Sequence, residues 1–262
     1  MSTLYVVSTP IGNLEDITFR ALRILKEVDL IVCEDTRQTL KLLNHYNISK
    51  PLVSYFQHSK LSKIDYIAGQ LEQGKKVALV TDAGTPGISD PGGKLLTRAL
   101  AKGGKEPNGS LTTRALAKGG KEPNGSLTNE IATRPGLAAE IVPIPGPSAL
   151  TAAASVSGFP MDKFLFLGFP PAKRKRKKFF GEVINSKYPV IFYEAPHRIS
   201  KTLKELQLTI NNKQLTINIV VCRELTKKFE TIYRGTAEEI IKILENDKNN
   251  LKGEFVIIVS NE

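Results

Sequence analysis

Thr81–Pro91 reads Thr-Asp-Ala-Gly-Thr-Pro-Gly-Ile-Ser-Asp-Pro, the residue types of a ligand-binding loop. Gly84 and Gly87 carry no Cβ, so a ligand can approach the main chain closely. Pro86 and Pro91 fix φ and shape the loop. Asp82 and Asp90 put two carboxylates within the same few residues. Two more polar segments, Thr9–Leu14 and Glu34–Arg37, precede it. Two charged ones follow, Glu194-Ala195-Pro196-His197-Arg198 and Arg223-Glu224-Leu225-Thr226-Lys227. The chemistry expected of them is binding and proton transfer rather than metal or hydride chemistry. His45, His58 and His197 are scattered and Cys33 is far from Cys222, so no metal cluster is visible. Gly12 is the only glycine of the Thr9–Leu14 turn, which rules out a dinucleotide fingerprint there.

These segments need elements to hold them. Val77–Val80 is short, apolar and bounded by polar residues, as a buried strand is, and Gly92–Lys102 has helical spacing. The loop between them lies at a strand's carboxyl end, where open α/β sheets bind ligands. Leu4–Ser8, Leu30–Cys33, Leu52–Ser54 and Ile141–Val142 read as further strands. Ile17, Ala21, Ile24, Leu25 and Val28 share one helical face, with Asp16 as the expected cap, and Ser62–Gln73 is a helix closed by Gly74. This alternation predicts a mostly parallel sheet, with Thr9–Leu14, Glu34–Arg37 and Thr81–Pro91 meeting at one edge.

Val142–Ala149 is stiff and proline-rich, the composition of a domain boundary, so the expected domains are 1–145 and 146–262. Ala149–Ser157 is a helix of nearly all small residues. Lys163–Leu167, Pro189–Tyr193, Asn218–Cys222 and Glu230–Gly235 read as strands, Thr236–Glu239 as a capping box, and Glu254–Ser260 as the strand that closes the second sheet. The predicted architecture is α/β: two α/β domains with the active-site cleft between them.

The chain has 262 residues, 41% of them hydrophobic, and a formal net charge of +11. It is long enough to bury real cores and too apolar for disorder. The positive excess favours a polyanionic partner. Two cysteines make no disulfide framework, which points to a reducing, cytoplasmic setting. The first residues lack the charged and apolar regions of a signal peptide, and no apolar run is long enough to span a bilayer.

Asp82–Pro91 resembles the methyl-donor loop of the tetrapyrrole methylase superfamily. Tyr5–Thr18 and Cys33-Glu34-Asp35-Thr36-Arg37 resemble, more narrowly, the bacterial methyltransferases that modify the 2'-hydroxyl of small-subunit ribosomal RNA, as do Tyr193–Arg198 and Arg223–Lys227. Relatives that modify tetrapyrroles have a glycine-rich first turn, which is absent here. The resemblance implies S-adenosylmethionine as donor, held by Pro10 and Gly12 of the first loop and by Asp82, Ala83, Gly84, Thr85 and Pro86 of the third. Ser148, Ala149 and Gly168 complete that set. It implies a cytidine ribose in the decoding region of 16S RNA as acceptor, free or in the assembled 30S subunit, and a homodimer.

A 2'-hydroxyl needs a general base, for which Glu194 and His197 rank first and Glu224 next. The run Lys173-Arg174-Lys175-Arg176-Lys177-Lys178 repels itself and should stay unburied, free to meet RNA phosphates. Arg198 and Arg223 are candidates for the same work or for salt bridges with nearby glutamates. A tetrapyrrole methyltransferase and a non-catalytic ribosome-binding protein are the alternatives.

One stretch departs from the family pattern. Thr97–Thr112 is repeated without a change as Thr113–Thr128. Two such units cannot stack a core of their own, and Lys-Gly-Gly-Lys-Glu-Pro-Asn-Gly-Ser is linker chemistry. Residues 103–139 therefore read as an inserted surface excursion.

Overall fold

The computed structural model describes residues 2–55, 61–90, 92–93, 96, 139–215 and 217–261. The duplicated stretch, His58 and Pro91 lie outside the described residues.

The first sheet holds β1 (Thr3–Val7), β2 (Leu30–Cys33), β3 (Leu52–Ser54), β4 (Lys76–Leu79) and β5 (Glu140–Ile144), in the order β3-β2-β4-β1-β5. Every pairing is parallel, as the alternation of elements requires. The carboxyl ends of β1, β4 and β2 are thus adjacent. Helices α1 (Phe19–Glu27), α2 (Thr36–His45) and α3 (Leu61–Glu72) follow the first three strands. Ala21, Ile24, Leu25 and Val28 are buried against Val7, Ile31 and Ala78 on one face, while Ile67 and Leu71 pack with Leu4, Val32 and Leu79 on the other. The α1 cap is Thr18, whose hydroxyl accepts from the Ala21 N–H, rather than Asp16. Gly74 ends α3 at φ +82, and its N–H donates to Leu71 O.

The second sheet holds β6 (Leu165–Phe166), β7 (Val190–Glu194), β8 (Asn218–Arg223), β9 (Thr231–Thr236) and β10 (Phe255–Ser260). Its order is β6-β7-β10-β8-β9, so the last strand is central rather than an edge that closes the sheet. β10 runs antiparallel to both neighbours, with Phe255 opposite Glu194 and Arg223. The amino end of β10 therefore sits beside the carboxyl ends of β7 and β8. All six residues of β10 are buried, the burial expected of a central strand flanked on both faces.

On one face lies α4 (Ala149–Val156), whose small residues pack with Ile191, Val220, Cys222 and Val256. The other carries α5 (Arg176–Asn185), α6 (Ile199–Asn211) and α7 (Ala237–Asn246). α7 opens with a full capping box, Thr236 and Glu239 bonding reciprocally. Among the described residues, no helix is long and apolar enough to cross a membrane.

Candidate active site

A cavity of about 750 Å³ opens between the strand ends of the two sheets. From the first sheet come Ile11, beyond β1; Glu34, beyond β2; and the Thr81–Thr85 and Ile88–Asp90 segments, beyond β4. Ser148 and Ala149 enter from the start of α4. The second sheet supplies Phe169 after β6, Tyr193–Pro196 at the end of β7, Leu225 after β8 and Glu254–Val256 at the start of β10.

The loops on the first-sheet side are bonded to one another. Thr9 and Gly84 exchange backbone hydrogen bonds of 2.9 and 3.0 Å. The Thr85 hydroxyl lies 2.8 Å from that of Ser8 and donates to Pro147 O at 3.2 Å. Thr81 Oγ1 donates to Glu34 Oε2 at 3.1 Å, and the Asp35 N–H donates to Asp82 Oδ1 at 3.0 Å. Gly84 sits at φ +82, a conformation that glycine adopts at no steric cost. Asp90 folds the loop back by accepting from the N–H groups of Gly87 and Gly92.

Gly12 plays a different part. A Cβ on it would lie 2.2 Å from Lys227 Cγ, so its missing side chain lets the loop after β1 meet the loop after β8. Lys227 in turn bridges Glu224 and Glu254 at 2.9 and 3.0 Å. Burial opposes ionisation of Glu224, but the Glu254 N–H and the Lys227 ammonium outweigh it and hold the carboxyl below its usual range. Of the donor-site residues expected from the sequence, Asp82, Ala83, Gly84, Thr85, Ser148 and Ala149 line the cavity. Pro10, Gly12, Pro86 and Gly168 do not.

The second-sheet side is held by ions. Glu194 is 2% exposed. Its Oε1 pairs with Arg198 Nη2 at 2.6 Å and accepts the Ala195 N–H at 2.7 Å, while Oε2 accepts the Thr202 hydroxyl at 2.6 Å. Thr202 Oγ1 also receives Arg176 Nη2 at 2.7 Å, and Arg176 Nε donates to Glu205 at 2.6 Å. His197 is exposed and Glu224 half-buried, and both lie outside the lining.

Arg176 corrects the expectation that the basic run stays unburied: it is 6% exposed. It opens α5 on the same face as Phe179, Phe180, Val183 and Ile184, one helical period ahead of them. Lys173, Arg174, Lys175, Lys177 and Lys178 are exposed as expected. Arg223 is also buried, and its guanidinium donates to Lys252 O, Asn249 O and Phe229 O at 2.7, 2.8 and 3.1 Å. Arg198 donates to Pro170 O besides its bond to Glu194. These three arginines hold loops together.

Sequence reasoning passed over Ile11, Phe169, Tyr193 and Glu254–Val256 as lining. Phe169 and Tyr193 sit at strand ends and were findable by that rule. Glu254–Val256 sit at a strand's start, and only the antiparallel placement of β10 brings them in.

The lining is acidic. Glu34, Asp82, Asp90, Glu194 and Glu254 contribute to it, and no lysine or arginine does among the described residues. Burial, then repulsion from Asp82 and Asp90, pushes the Glu34 carboxyl up. Burial, then Asp35, does the same to Asp82. A cationic ligand would relieve both.

Fold and site together define a methyltransferase class. The family model of the Tetrapyrrole (Corrin/Porphyrin) Methylases matches residues 3–106 and 125–241, and the chain belongs to that family. The gap in the match falls within the duplicated stretch. Solved structures agree on the fold: the methyltransferase CobJ at TM-score 0.62 and 17% identity, covering 100% of this chain and 95% of that one, and cobalt precorrin-4 methyltransferase CbiF at 0.60 and 16%, covering 98% and 94%.

Sequence similarity is higher to a particular set of members. The chain is 41% identical over 98% of its length to "Ribosomal RNA small subunit methyltransferase I" of Halalkalibacterium halodurans, covering 75% of that protein. It is 38% identical over 99% of its length to the protein of the same name from Thermotoga maritima, covering 99% of it.

The family's methyl donor is S-adenosylmethionine. The residues present fit it. The cavity is within the range of about 300–1,000 Å³ usual for small-molecule sites. Its carboxylates suit a sulfonium cation, and Ile11, Ala149, Leu225 and Val256 give it an apolar floor.

The raised carboxyl groups imply a pH dependence. A cationic donor favours ionised Glu34 and Asp82, so affinity is full above their raised pKa values. It falls as pH drops through them, starting above the ordinary 4.5 and 3.8. Calorimetry between about pH 4 and 7 should show this loss, and Asp82→Asn should flatten it.

Proposed function

We propose that this chain transfers a methyl group from S-adenosylmethionine to the 2'-hydroxyl of a cytidine ribose in the decoding region of 16S ribosomal RNA. The observation that supports the reading best is a division of charge. The cavity is acid-lined in a chain of net charge +11, and the exposed cations begin four residues after the lining residue Phe169. A cationic donor belongs inside and a polyanionic acceptor outside. The names of the near full-length relatives support the same acceptor. The partner is then the RNA or the assembled 30S subunit in the cytoplasm, and the protein acts as a homodimer.

Bound S-adenosylmethionine supplies an electrophilic methyl group that an in-line oxygen nucleophile can displace. The chain's own residues position and shield. Asp82 and Glu34 put negative charge beside the donor, the Thr9–Gly84 bonds hold their loop, and the apolar floor excludes water. Of the proposed bases Glu194, His197 and Glu224, Glu194 alone lines the cavity. Arg198, Thr202 and the Ala195 N–H already engage both its oxygens, so we assign it an anchoring part. Arg176, Arg198 and Arg223 are positioning residues, and Lys173, Arg174, Lys175, Lys177 and Lys178 meet phosphates.

The test is transfer of labelled methyl to small ribosomal subunits lacking the modification, with nuclease mapping. Label on a ribose 2'-oxygen in the decoding region is the expected result. Donor binding without RNA labelling would overturn the reading in favour of a small-molecule acceptor such as a tetrapyrrole. RNA affinity should also fall with salt. At about 0.7–0.9 per phosphate contact, four contacts give roughly 3 to 4 decades of affinity per decade of salt. Filter binding with Lys173, Arg174, Lys175 and Lys177 changed to glutamine should show a nearly flat salt dependence.

A further inference from the structure

Phe169 is a large apolar side chain held half in solvent. It is 49% exposed and lines the cavity. Its loop is clamped on both sides. Gly168, at φ +63, accepts the Tyr193 N–H at 2.8 Å. Pro170 O receives Arg198 Nη1 at 3.1 Å, and Pro171 O receives Arg176 Nη1 at 2.9 Å. Both guanidiniums are ion-paired, Arg198 to Glu194 and Arg176 to Glu205, and Arg176 also reaches the Glu194 carboxylate through the Thr202 hydroxyl. The ring stands edge-on to Tyr193, centroids 5.5 Å apart at 64°, and Tyr193 stands against Phe166 at 5.0 Å and 65°.

Two ion-paired arginines, one buried and one half-buried, hold consecutive carbonyls of this one loop. They fix an aromatic ring at the cavity, where burial would otherwise have been the cheaper choice. The next residues along the chain are the exposed cations.

We propose that Phe169, backed by Tyr193, is the stacking platform for the base of the nucleotide whose ribose is methylated. The inference rests on the RNA reading above. A nucleotide that enters a cavity must leave its own base stack, and an aromatic face returns part of that loss. Phosphates flanking the nucleotide meet Lys173, Arg174, Lys175, Lys177 and Lys178 outside the acidic lining. Arg176, Arg198 and Glu194 act through the loop they hold, which keeps the ring in place before RNA arrives.

The chain contains no tryptophan, so Phe169→Trp creates a single fluorescent reporter at the platform. Its emission should be quenched by an RNA that contains the target nucleotide, and much less by the same RNA with an abasic target site. In parallel, Phe169→Ala should lower kcat/KM for the RNA roughly 10- to 100-fold, with affinity for S-adenosylmethionine within about twofold of wild type. Equal quenching by the abasic RNA, or an unchanged kcat/KM, would overturn the platform. A loss of donor affinity as large as the loss of kcat/KM would also overturn it, placing Phe169 in the donor's pocket. Wild-type protein that fails to label the RNA would instead overturn the RNA reading, and the platform with it, so the two failures are distinct.

Discussion

Gly84→Val should abolish binding of S-adenosylmethionine while leaving the protein folded. Gly84 sits at φ +82, and any L-residue there pays about 1–2 kcal/mol, a β-branched one more. A Cβ would already be in van der Waals contact, 3.4 Å from Ile11 Cγ2 and 3.8 Å from Pro147 O, so the left-handed backbone sets the cost and the two γ-methyls of valine add to it. The loop must move, and with it Asp82, Ala83 and Thr85. Its bonds to Thr9, Ser8 and Pro147 O are what hold the cavity's first wall. The sheet itself is untouched, because the loop lies beyond the end of β4. Calorimetry should show donor affinity lowered more than about 100-fold, with circular dichroism unchanged in form and stability reduced by about 1–3 kcal/mol. Asp82→Ala should give a comparable loss by removing a lining carboxylate and the acceptor of the Asp35 N–H. Unchanged donor affinity in both folded variants would remove the loop from the donor site.

Glu194→Ala should be the most destabilising single change at the site. The carboxylate is buried and compensates Arg198 directly and Arg176 through Thr202. Removing one partner of a buried pair leaves an uncompensated charge, a loss of about 3–5 kcal/mol. In a chain of this size that lowers Tm by about 10 °C or more. Glu194→Gln separates anchoring from proton transfer. It keeps an acceptor for Arg198 and the Ala195 N–H but cannot take a proton. If Glu194 only anchors, the glutamine variant should retain measurable methyl transfer and recover the part of the lost stability that rests on hydrogen bonding, but not the part that rests on charge. A stable glutamine variant without transfer would make Glu194 the base.

Much of the candidate site was legible because short-range rules govern it. Buried parallel strands read as apolar runs, and the segments after them hold Gly, Pro, Asp and Thr because turns and close approach demand them. The convergence of Thr9–Leu14, Glu34–Arg37 and Thr81–Asp90 followed from parallel strands alone, and the hydrogen bonds among Thr9, Gly84, Glu34, Thr81, Asp35 and Asp82 are its geometric form. The basic run was legible as charge, but not which of its members turns inward. That depended on α5 placing Arg176 in register with Phe179 and Phe180, a periodicity that the charge run hid.

The sequence by itself determined the family, the α/β class, the parallel first sheet and the loop after β4 that lines the cavity, since each rests on local pattern or on motif. The tertiary structure alone decided the second wall of the cavity. β10 is last in the chain and central in its sheet, and its antiparallel direction brings Glu254 and Phe255 beside Glu194 and Arg223. It also decided which charges are spent inside. Arg176, Arg198 and Arg223 carry the same charge as their neighbours. Only the position of each guanidinium against carboxylates and carbonyls makes them part of the framework rather than of the exposed basic surface. Strand order and burial are long-range outcomes of packing, set by which faces cover which, and no window of residues along the chain contains them.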